Sequence, residues 1–259
     1  MKMYCFIGFV RKRKDIATLL KRLLCITLIG VSISTGSILA QQKSIGDRIH
    51  SKDFDTRFDA VLELTGKKDA VGILTDVLNH DTSSSIRALA ATELGKSESP
   101  DAVSPLLAAL NSASNKKDVF LRRTIVYALG SFQDPSVVTD LIAILRDKEP
   151  MIRSAAVDSL DKIADRRSVT ALIQSLRDNN SFVRARAAIA LGSIKDSQAV
   201  TPLVSALSGD ESGDVRREAA RSLGKIGGAE AQSALTAALL DKDMLVRQYS
   251  AEALRAGKP

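Results

Sequence analysis

The chain has 259 residues and a formal net charge of +7, but its excess of basic residues is confined to the first 40 positions. Seven of the 37 Lys and Arg residues lie there with one of the 30 Asp and Glu residues, which leaves 30 basic and 29 acidic residues in positions 41–259. A domain that binds nucleic acid carries its basic residues on the working surface, so this near-neutral body argues against a nucleic-acid partner.

The two cysteines, Cys5 and Cys25, both precede residue 41. The body therefore holds no disulfide, no thiolate metal site and no cysteine nucleophile.

The N-terminal 40 residues combine a basic cluster with an uncharged stretch. Positions 11–14 read Arg-Lys-Arg-Lys, and residues 23–40 carry no charge and end at Ala40. This order is typical of a secretory signal, so we predict a signal peptide over 1–40 and an exported protein, periplasmic or secreted. The alternative is a membrane anchor formed by residues 23–40, which are near the lower length limit for a spanning helix. Residues 41–52 are predicted to be a linker or an N-terminal cap.

From residue 53 onward one pattern repeats to the end of the chain. Arginines recur at intervals of 30 to 35 residues, and a leucine follows each arginine by seven positions. Apolar residues three, four and seven positions after a reference residue lie on one helical face, so each arginine marks a first helix. The arginines are Arg57, Arg87, Arg122, Arg153, Arg184, Arg216 and Arg247.

A second helix is predicted in each unit from leucine pairs four residues apart, such as Leu203 and Leu207. Five glycines are expected to end the first helices in the left-handed conformation: Gly66, Gly95, Gly130, Gly192 and Gly224. Asp134, Asp165 and Asp196, with Ser99 at the matching place, are expected to cap the start of the second helix. We therefore predict an all-α fold over 53–259, a right-handed α-solenoid of about six helix–turn–helix repeats with a C-terminal capping helix.

The segments VRARAAIALGSIKDSQAVTPLVSAL and VRREAARSLGKIGGAEAQSALTAAL resemble the HEAT-like repeat of the phycobilisome-lyase type. The resemblance covers about residues 53–259. It implies an α-solenoid whose second helices line the concave side, and it leaves the function open because solenoids serve many functions.

Aspartates stand six positions before five of the arginines, at Asp81, Asp147, Asp178, Asp210 and Asp241. We predict that they form a structural ladder with Arg87, Arg122, Arg153, Arg184, Arg216 and Arg247; the alternative is an anion-binding row of arginines. The third unit departs from the rule, with Lys116 in place of the aspartate and a longer polar loop over 111–118. That loop is either a tolerated insertion or a lip beside a binding groove.

The predicted second helices carry a small polar residue at one equivalent position: Ser104, Thr139, Thr170, Thr201 and Ser233. We treat this uncharged row as the candidate protein-binding face. The alternative is that these side chains only satisfy packing and local hydrogen bonds.

No catalytic residue, cofactor or metal site is predicted, because His50 and His80 are the only histidines. The His-Glu pairs with which deoxyhypusine hydroxylase, another HEAT-repeat protein, holds iron do not occur here. The sequence favours an exported, non-catalytic scaffold or adaptor that binds a protein partner through the concave face. The alternatives are a bilin-lyase-type subunit and a regulatory subunit of an enzyme complex.

Overall fold

The computed structural model describes residues 44–112 and 115–256. The predicted signal peptide over 1–40 and the alternative anchor over 23–40 lie outside these residues. Within the two described ranges the chain is helical without β-strands, and no helix there has the length and apolar character needed to cross a membrane.

The helices alternate in two layers. The first helices are α2 (Phe54–Leu62), α4 (Ser84–Lys96), α6 (Val119–Ser131), α8 (Pro150–Ile163), α10 (Ser181–Ile194), α12 (Gly213–Ile226) and α14 (Met244–Ala256). The second helices are α3 (Val71–His80), α5 (Val103–Asn111), α7 (Val138–Ile144), α9 (Val169–Ser175), α11 (Val200–Gly209) and α13 (Ala229–Ala237), and a short α1 (Ile45–Ile49) precedes them all. The predicted all-α solenoid of six helix–turn–helix repeats and a terminal helix is confirmed.

The core runs between the two layers as one continuous cluster. The leucines seven positions after the arginines are fully buried from Leu94 to Leu223, while Leu254 in the terminal helix is only half-buried. Since a single repeat cannot bury its apolar face alone, each repeat depends on its neighbours for this burial.

The turn between a first and a second helix is built differently from the prediction. Asp134, Asp165 and Asp196 do cap the 3₁₀ turns before the second helices, accepting hydrogen bonds from backbone N–H groups two residues on, but Ser99 makes no such side-chain bond. Of the expected glycines only Gly66 has a positive φ, of 71°, in the described residues. In four other turns the left-handed residue is Glu98, Gln133, Ala164 or Lys195, with φ between 49° and 57°.

The other recurring glycines, Gly95, Gly130, Gly192 and Gly224, instead lie inside the first helices and allow close packing. A Cβ added at Gly130 would stand 2.9 Å from the Cα of Ser159, and one at Gly192 would stand 2.8 Å from the Cα of Ser222, in each case on the next first helix. These glycines are therefore required by the neighbouring helix and not by the backbone conformation.

Candidate functional site

Each interior arginine of the ladder joins two repeats. The Nε and Nη2 of Arg184 donate to the two carboxylate oxygens of Asp210 at 2.7 and 2.8 Å, while its Nη1 donates to the carbonyl oxygen of Asp178 at 2.9 Å. Arg153 and Arg216 repeat this arrangement one repeat earlier and one later. The arginine thus ties the turn before its own first helix to the turn before the next one.

The remaining arginines of the stack follow this plan with differences in their partners. Arg57 donates to Asp81 at 2.8 Å, and Arg122 pairs with Asp147. Arg87 donates to Asp118, which does not stand six positions before an arginine. Within the described residues Arg247 bonds only to backbone carbonyls, those of Asp241 and Lys242. The six arginines that reach an aspartate have side chains only 4% to 18% exposed, so their guanidinium groups face the interior of the stack and not a ligand.

Three aspartates of the ladder, Asp178, Asp210 and Asp241, have pKa values below the ordinary value. Burial by itself would raise the pKa of Asp178, but hydrogen bonds from the Arg153 guanidinium and from the Asn180 backbone N–H outweigh it and hold the pKa below its ordinary value. The same balance, with Arg184 and Ser212, lowers the pKa of Asp210. A charged, doubly hydrogen-bonded carboxylate is what lets these partly buried pairs stabilise the fold.

The third repeat supplies its carboxylate from another position. Asp118, four residues before Arg122, accepts a hydrogen bond from Arg87 Nη2 at 3.4 Å and also bonds to Ser84 Oγ. Its other oxygen accepts from the backbone N–H of Leu121 at 2.9 Å and so caps α6. Asp118 therefore replaces the missing aspartate at the place of Lys116, which the six-residue spacing could not indicate.

The predicted protein-binding row lies on the solvent-exposed face of the second helices. Ser104, Thr139, Thr170, Thr201 and Ser233 are all exposed. Thr201 Oγ1 donates to Glu230 Oε1 on the next second helix at 2.9 Å, so one member of the row is already hydrogen-bonded.

Open grooves separate neighbouring second helices. The groove between α9 and α11 has a volume of about 380 Å³ and includes Thr201 and Ser205, and the one between α11 and α13 has about 340 Å³ and includes Ala237. A smaller groove of about 160 Å³ between α7 and α9 includes Gln174. Only Thr201 of the predicted row lines any of these three grooves, and their walls are mostly aliphatic and small polar.

Both histidines lie at the N-terminal end of the stack, beside one carboxylate. His80 Nδ1 is 2.8 Å from Asp76 Oδ1, and His50 Nε2 is 3.7 Å from Asp76 Oδ2. The two rings are 74% and 68% exposed at the mouth of a cavity of about 390 Å³. Among the described residues no three His, Cys, Asp or Glu side chains are grouped so as to hold a metal ion.

The solvent-exposed face of the first helices carries large apolar side chains that we did not predict. Phe120, Met151 and Phe182 each stand two positions before a ladder arginine in three consecutive repeats and are 53%, 44% and 49% exposed. We refer to these three residues as the apolar strip. Their 31-residue spacing was visible in the sequence, but their exposure was not, because an apolar residue at a helix start fits the core as readily as the surface.

A polar network lies beside the apolar strip. Tyr127 Oη donates to Asp158 Oδ2 at 3.1 Å, and Arg186 Nη1 lies 3.4 Å from Asp158 Oδ1. The guanidinium of Arg186 also sits 4.9 Å from the centre of the Phe182 ring, and that of Arg123 sits 5.9 Å from the Phe120 ring. Burial raises the pKa of Asp158 despite the opposing effect of Arg186.

The comparison with protein families accounts for almost the whole described chain. A model for HEAT repeats matches residues 43–120, 113–191 and 169–255. This chain belongs to the HEAT-repeat family. The resemblance to HEAT-like repeats inferred from the sequence is thereby confirmed, while a comparison with curated proteins finds no match.

Two solved structures with TM-scores above 0.5 share the fold at low identity. The Escherichia coli protein YibA is 17% identical, with a TM-score of 0.52 over 95% of this chain and 98% of that chain. A designed armadillo repeat protein in complex with the peptide (KR)4 is 18% identical, with a TM-score of 0.51 over 83% and 98%. The CpcE–CpcF complex of phycocyanin lyase from a Nostoc species is 21% identical, with a TM-score of 0.49 over 87% and 90%.

Proposed function

We propose that this HEAT-repeat chain is an exported, non-catalytic scaffold or adaptor that binds a partner protein along one of its long faces. The observation that carries the proposal is the way the ladder uses its charges. The arginines and aspartates that could attract an ion are paired with each other between repeats, as in Arg184 and Asp210. What faces the solvent is a set of rows in which equivalent side chains of consecutive repeats are aligned.

Stacked repeats combine such rows into one long surface. Each repeat adds one equivalent side chain to the row, so the surface is long, and the ladder holds successive repeats in a fixed register. Binding to a surface that is already ordered avoids the entropic cost of arranging it on association. The proposal therefore rests on an extended, pre-ordered surface and not on a reactive group.

A direct test is reconstitution of a complex from purified components. The mature chain would first be used to capture crosslinked proteins from its own cells, with resin that carries no chain as the control. Each captured protein would then be purified and mixed with the chain in light scattering coupled to size exclusion. A complex of defined stoichiometry is the expected result, and a partner that is itself an enzyme would make the chain its regulatory subunit.

The proposal is wrong if no captured protein forms a complex with the purified chain. Export is tested separately, by sequencing the N-terminus of the mature protein and locating it among the cell fractions. Cleavage near Ala40 with recovery outside the cytoplasm is expected. Retention of residues 1–40 in the membrane fraction would instead support the anchor formed by residues 23–40.

A further inference from the structure

The two helix layers differ in how closely their helices pack. Neighbouring first helices meet through glycine and a small residue, as at Gly192 and Ser222, with a groove of about 270 Å³ beside the contact of α12 and α14. Neighbouring second helices are separated by three grooves of about 160 to 380 Å³. A stack whose two layers are unequally spaced bends toward the more closely packed layer. This argument places the first helices on the inner side of the solenoid, which is the side where repeat proteins offer an extended binding surface.

The residue composition of the two faces also favours the first helices as the binding face. Six of the seven aromatic side chains in the described residues belong to first helices and none to second helices: Phe54, Phe58, Phe120, Tyr127, Phe182 and Tyr249. Binding hot spots are enriched in aromatic residues and arginine, and Met is also common in interfaces. The apolar strip with Arg123 and Arg186 has this composition, whereas the predicted row of Ser and Thr on the second helices does not.

The charge beside the apolar strip is incompletely neutralised. Within the described residues Arg123 and Lys162 form no ion pair, and their charged groups lie 5.9 and 5.8 Å from the centres of the Phe120 and Tyr127 rings. The charge of Lys162 also acts on Asp158, where burial raises the pKa and Lys162 partly opposes that rise. The carboxylate of Asp158 is already shared by Arg186 and Tyr127. Arg123, which is half-buried, and Lys162, which is exposed, thus have no carboxylate within ion-pair distance in the described residues, and acidic groups of a partner would complement them.

The spacing between members of the apolar strip matches a partner segment in the polyproline II conformation. Packed helix axes lie about 8–10 Å apart, so neighbouring members of the strip are offset by about that distance. An extended polyproline II segment advances about 3.1 Å per residue and brings every third side chain to the same side, a repeat of about 9 Å. Every third residue of such a segment would meet one repeat of the solenoid.

From these observations we propose that the first-helix face of repeats three to five, centred on Phe120, Met151 and Phe182, binds an extended segment of a partner protein with an apolar residue at every third position and acidic residues between them. The apolar side chains would contact the strip, and the acidic ones would pair with Arg123 and Lys162. This inference rests on the proposed scaffold function and names the face and the partner chemistry that the function requires.

The experiment is a fluorescence-polarisation titration of the full chain with three labelled peptides. The first has four Leu-Pro-Glu units, the second four Leu-Pro-Lys units, and the third four Leu-Pro-Glu-Ser units, which break the three-residue spacing. We expect the first peptide to bind at least about tenfold more tightly than the others, as expected if the spacing or the charge contributes about 1.4 kcal/mol. Its affinity should fall as the salt concentration rises.

Variants then locate the site. Phe120→Ser/Phe182→Ser should weaken binding of the first peptide by about tenfold or more, because each change removes a hot-spot side chain worth more than about 1 kcal/mol. Leu62→Ser/Leu240→Ser removes two exposed apolar side chains elsewhere, and Thr170→Arg/Thr201→Arg obstructs the second-helix face; both should bind the peptide as the unmodified chain does. Circular dichroism melting of every variant checks that it remains folded.

Three results would overturn the inference: no binding of the first peptide, equal binding of all three peptides, or loss of binding in the Thr170→Arg/Thr201→Arg variant alone. The last result would move the site to the second-helix face and leave the scaffold function standing. Failure of the scaffold function itself would show in the reconstitution experiment, where no partner of any chemistry would form a complex.

Discussion

In the first-helix layer a glycine of one helix faces an alanine or serine of the next, and a groove of about 270 Å³ lies at its C-terminal end. The second-helix layer has no such glycine contact in the described residues, and three grooves of about 160 to 380 Å³ lie between its helices. The ladder of arginine and aspartate lies at the turns that lead into the first helices and fixes the register of the stack. One layer therefore has both the tight contacts and the buried charges close to it. The comparison suggests that stability depends on the first layer much more than on the second.

The largest effect should come from an interior arginine of the ladder. Replacing Arg153 by Met keeps much of the side-chain volume but leaves Asp178, whose side chain is 10% exposed, without its guanidinium partner. Breaking a buried pair from one side costs about 3–5 kcal/mol, and the partial exposure here places the expected loss near the lower end of that range. Urea unfolding followed by circular dichroism measures it.

Arg247→Met is the matched control, because Arg247 donates only to backbone carbonyls in the described part of the chain. A loss below about 1 kcal/mol is expected there, within the net worth of ordinary hydrogen bonds. Equal losses at Arg153 and Arg247 would show that the inter-repeat carboxylate adds nothing.

A glycine-to-alanine pair compares the two layers directly. At Gly192 a new Cβ would stand 2.8 Å from Ser222 Cα, so α10 and α12 must separate, and overpacking of this kind costs about 1–3 kcal/mol. At Gly72, in the second helix α3, no atom lies within 4 Å of the new Cβ, and alanine should stabilise the helix by about 0.5–1 kcal/mol. Thermal unfolding of the two variants should give shifts of opposite sign, and shifts of the same sign would remove the distinction between the layers.

How much of this was available from the sequence depends on whether the feature repeats at a fixed spacing. The fold and the partners of Arg153, Arg184 and Arg216 follow from positions that recur every 31 or 32 residues. Asp118 could not be found in this way, because the third repeat moves its carboxylate two positions and pairs it through a loop of different length. Spacing predicts a contact only where the intervening turn is the same.

The packing role of the glycines and the exposure of the apolar strip were missed for a different reason. Gly130 looks like a helix end in sequence, and only the position of Ser159 in the next helix shows that it serves packing. Phe120 begins a first helix, where an apolar residue fits the core as readily as the surface, and only the structure shows that its side chain is 53% exposed. In both cases the deciding contacts are made between repeats, and the periodicity of one repeat does not contain that information.

Acid should weaken the first layer selectively, because the pKa values of Asp178, Asp210 and Asp241 are lowered by their arginines and backbone N–H groups against the effect of burial. An unfolded Asp titrates near about 3.9, so between that value and the lower folded pKa the unfolded chain binds more protons. The stabilisation is therefore complete above about pH 4 and is lost as the pH falls through the folded pKa.

The variant Asp210→Asn tests the origin of this acid sensitivity. It should be less stable than the unmodified chain at pH 7, and its free energy of unfolding should change less between pH 5 and pH 2. Urea titrations at a series of pH values measure both quantities. An unchanged pH dependence in the variant would mean that the ladder carboxylates do not govern acid unfolding.

The smallest effects come from two hydroxyl groups that join neighbouring helices, one in each layer. Ser222 Oγ is buried and donates to the carbonyl oxygen of Ala188 at 2.7 Å across the first layer, whereas the exposed Thr201 Oγ1 donates to Glu230 at 2.9 Å across the second. Ser222→Ala should cost about 1 kcal/mol, since it leaves a buried carbonyl group with one partner fewer. Thr201→Ala should stay within about 0.5 kcal/mol, because water replaces the lost partner at the surface. Denaturant unfolding measures the loss of unfolding free energy in each variant. If the two losses are equal, burial of the hydrogen bond does not explain the difference between the layers, which would then depend on the packing of the first helices.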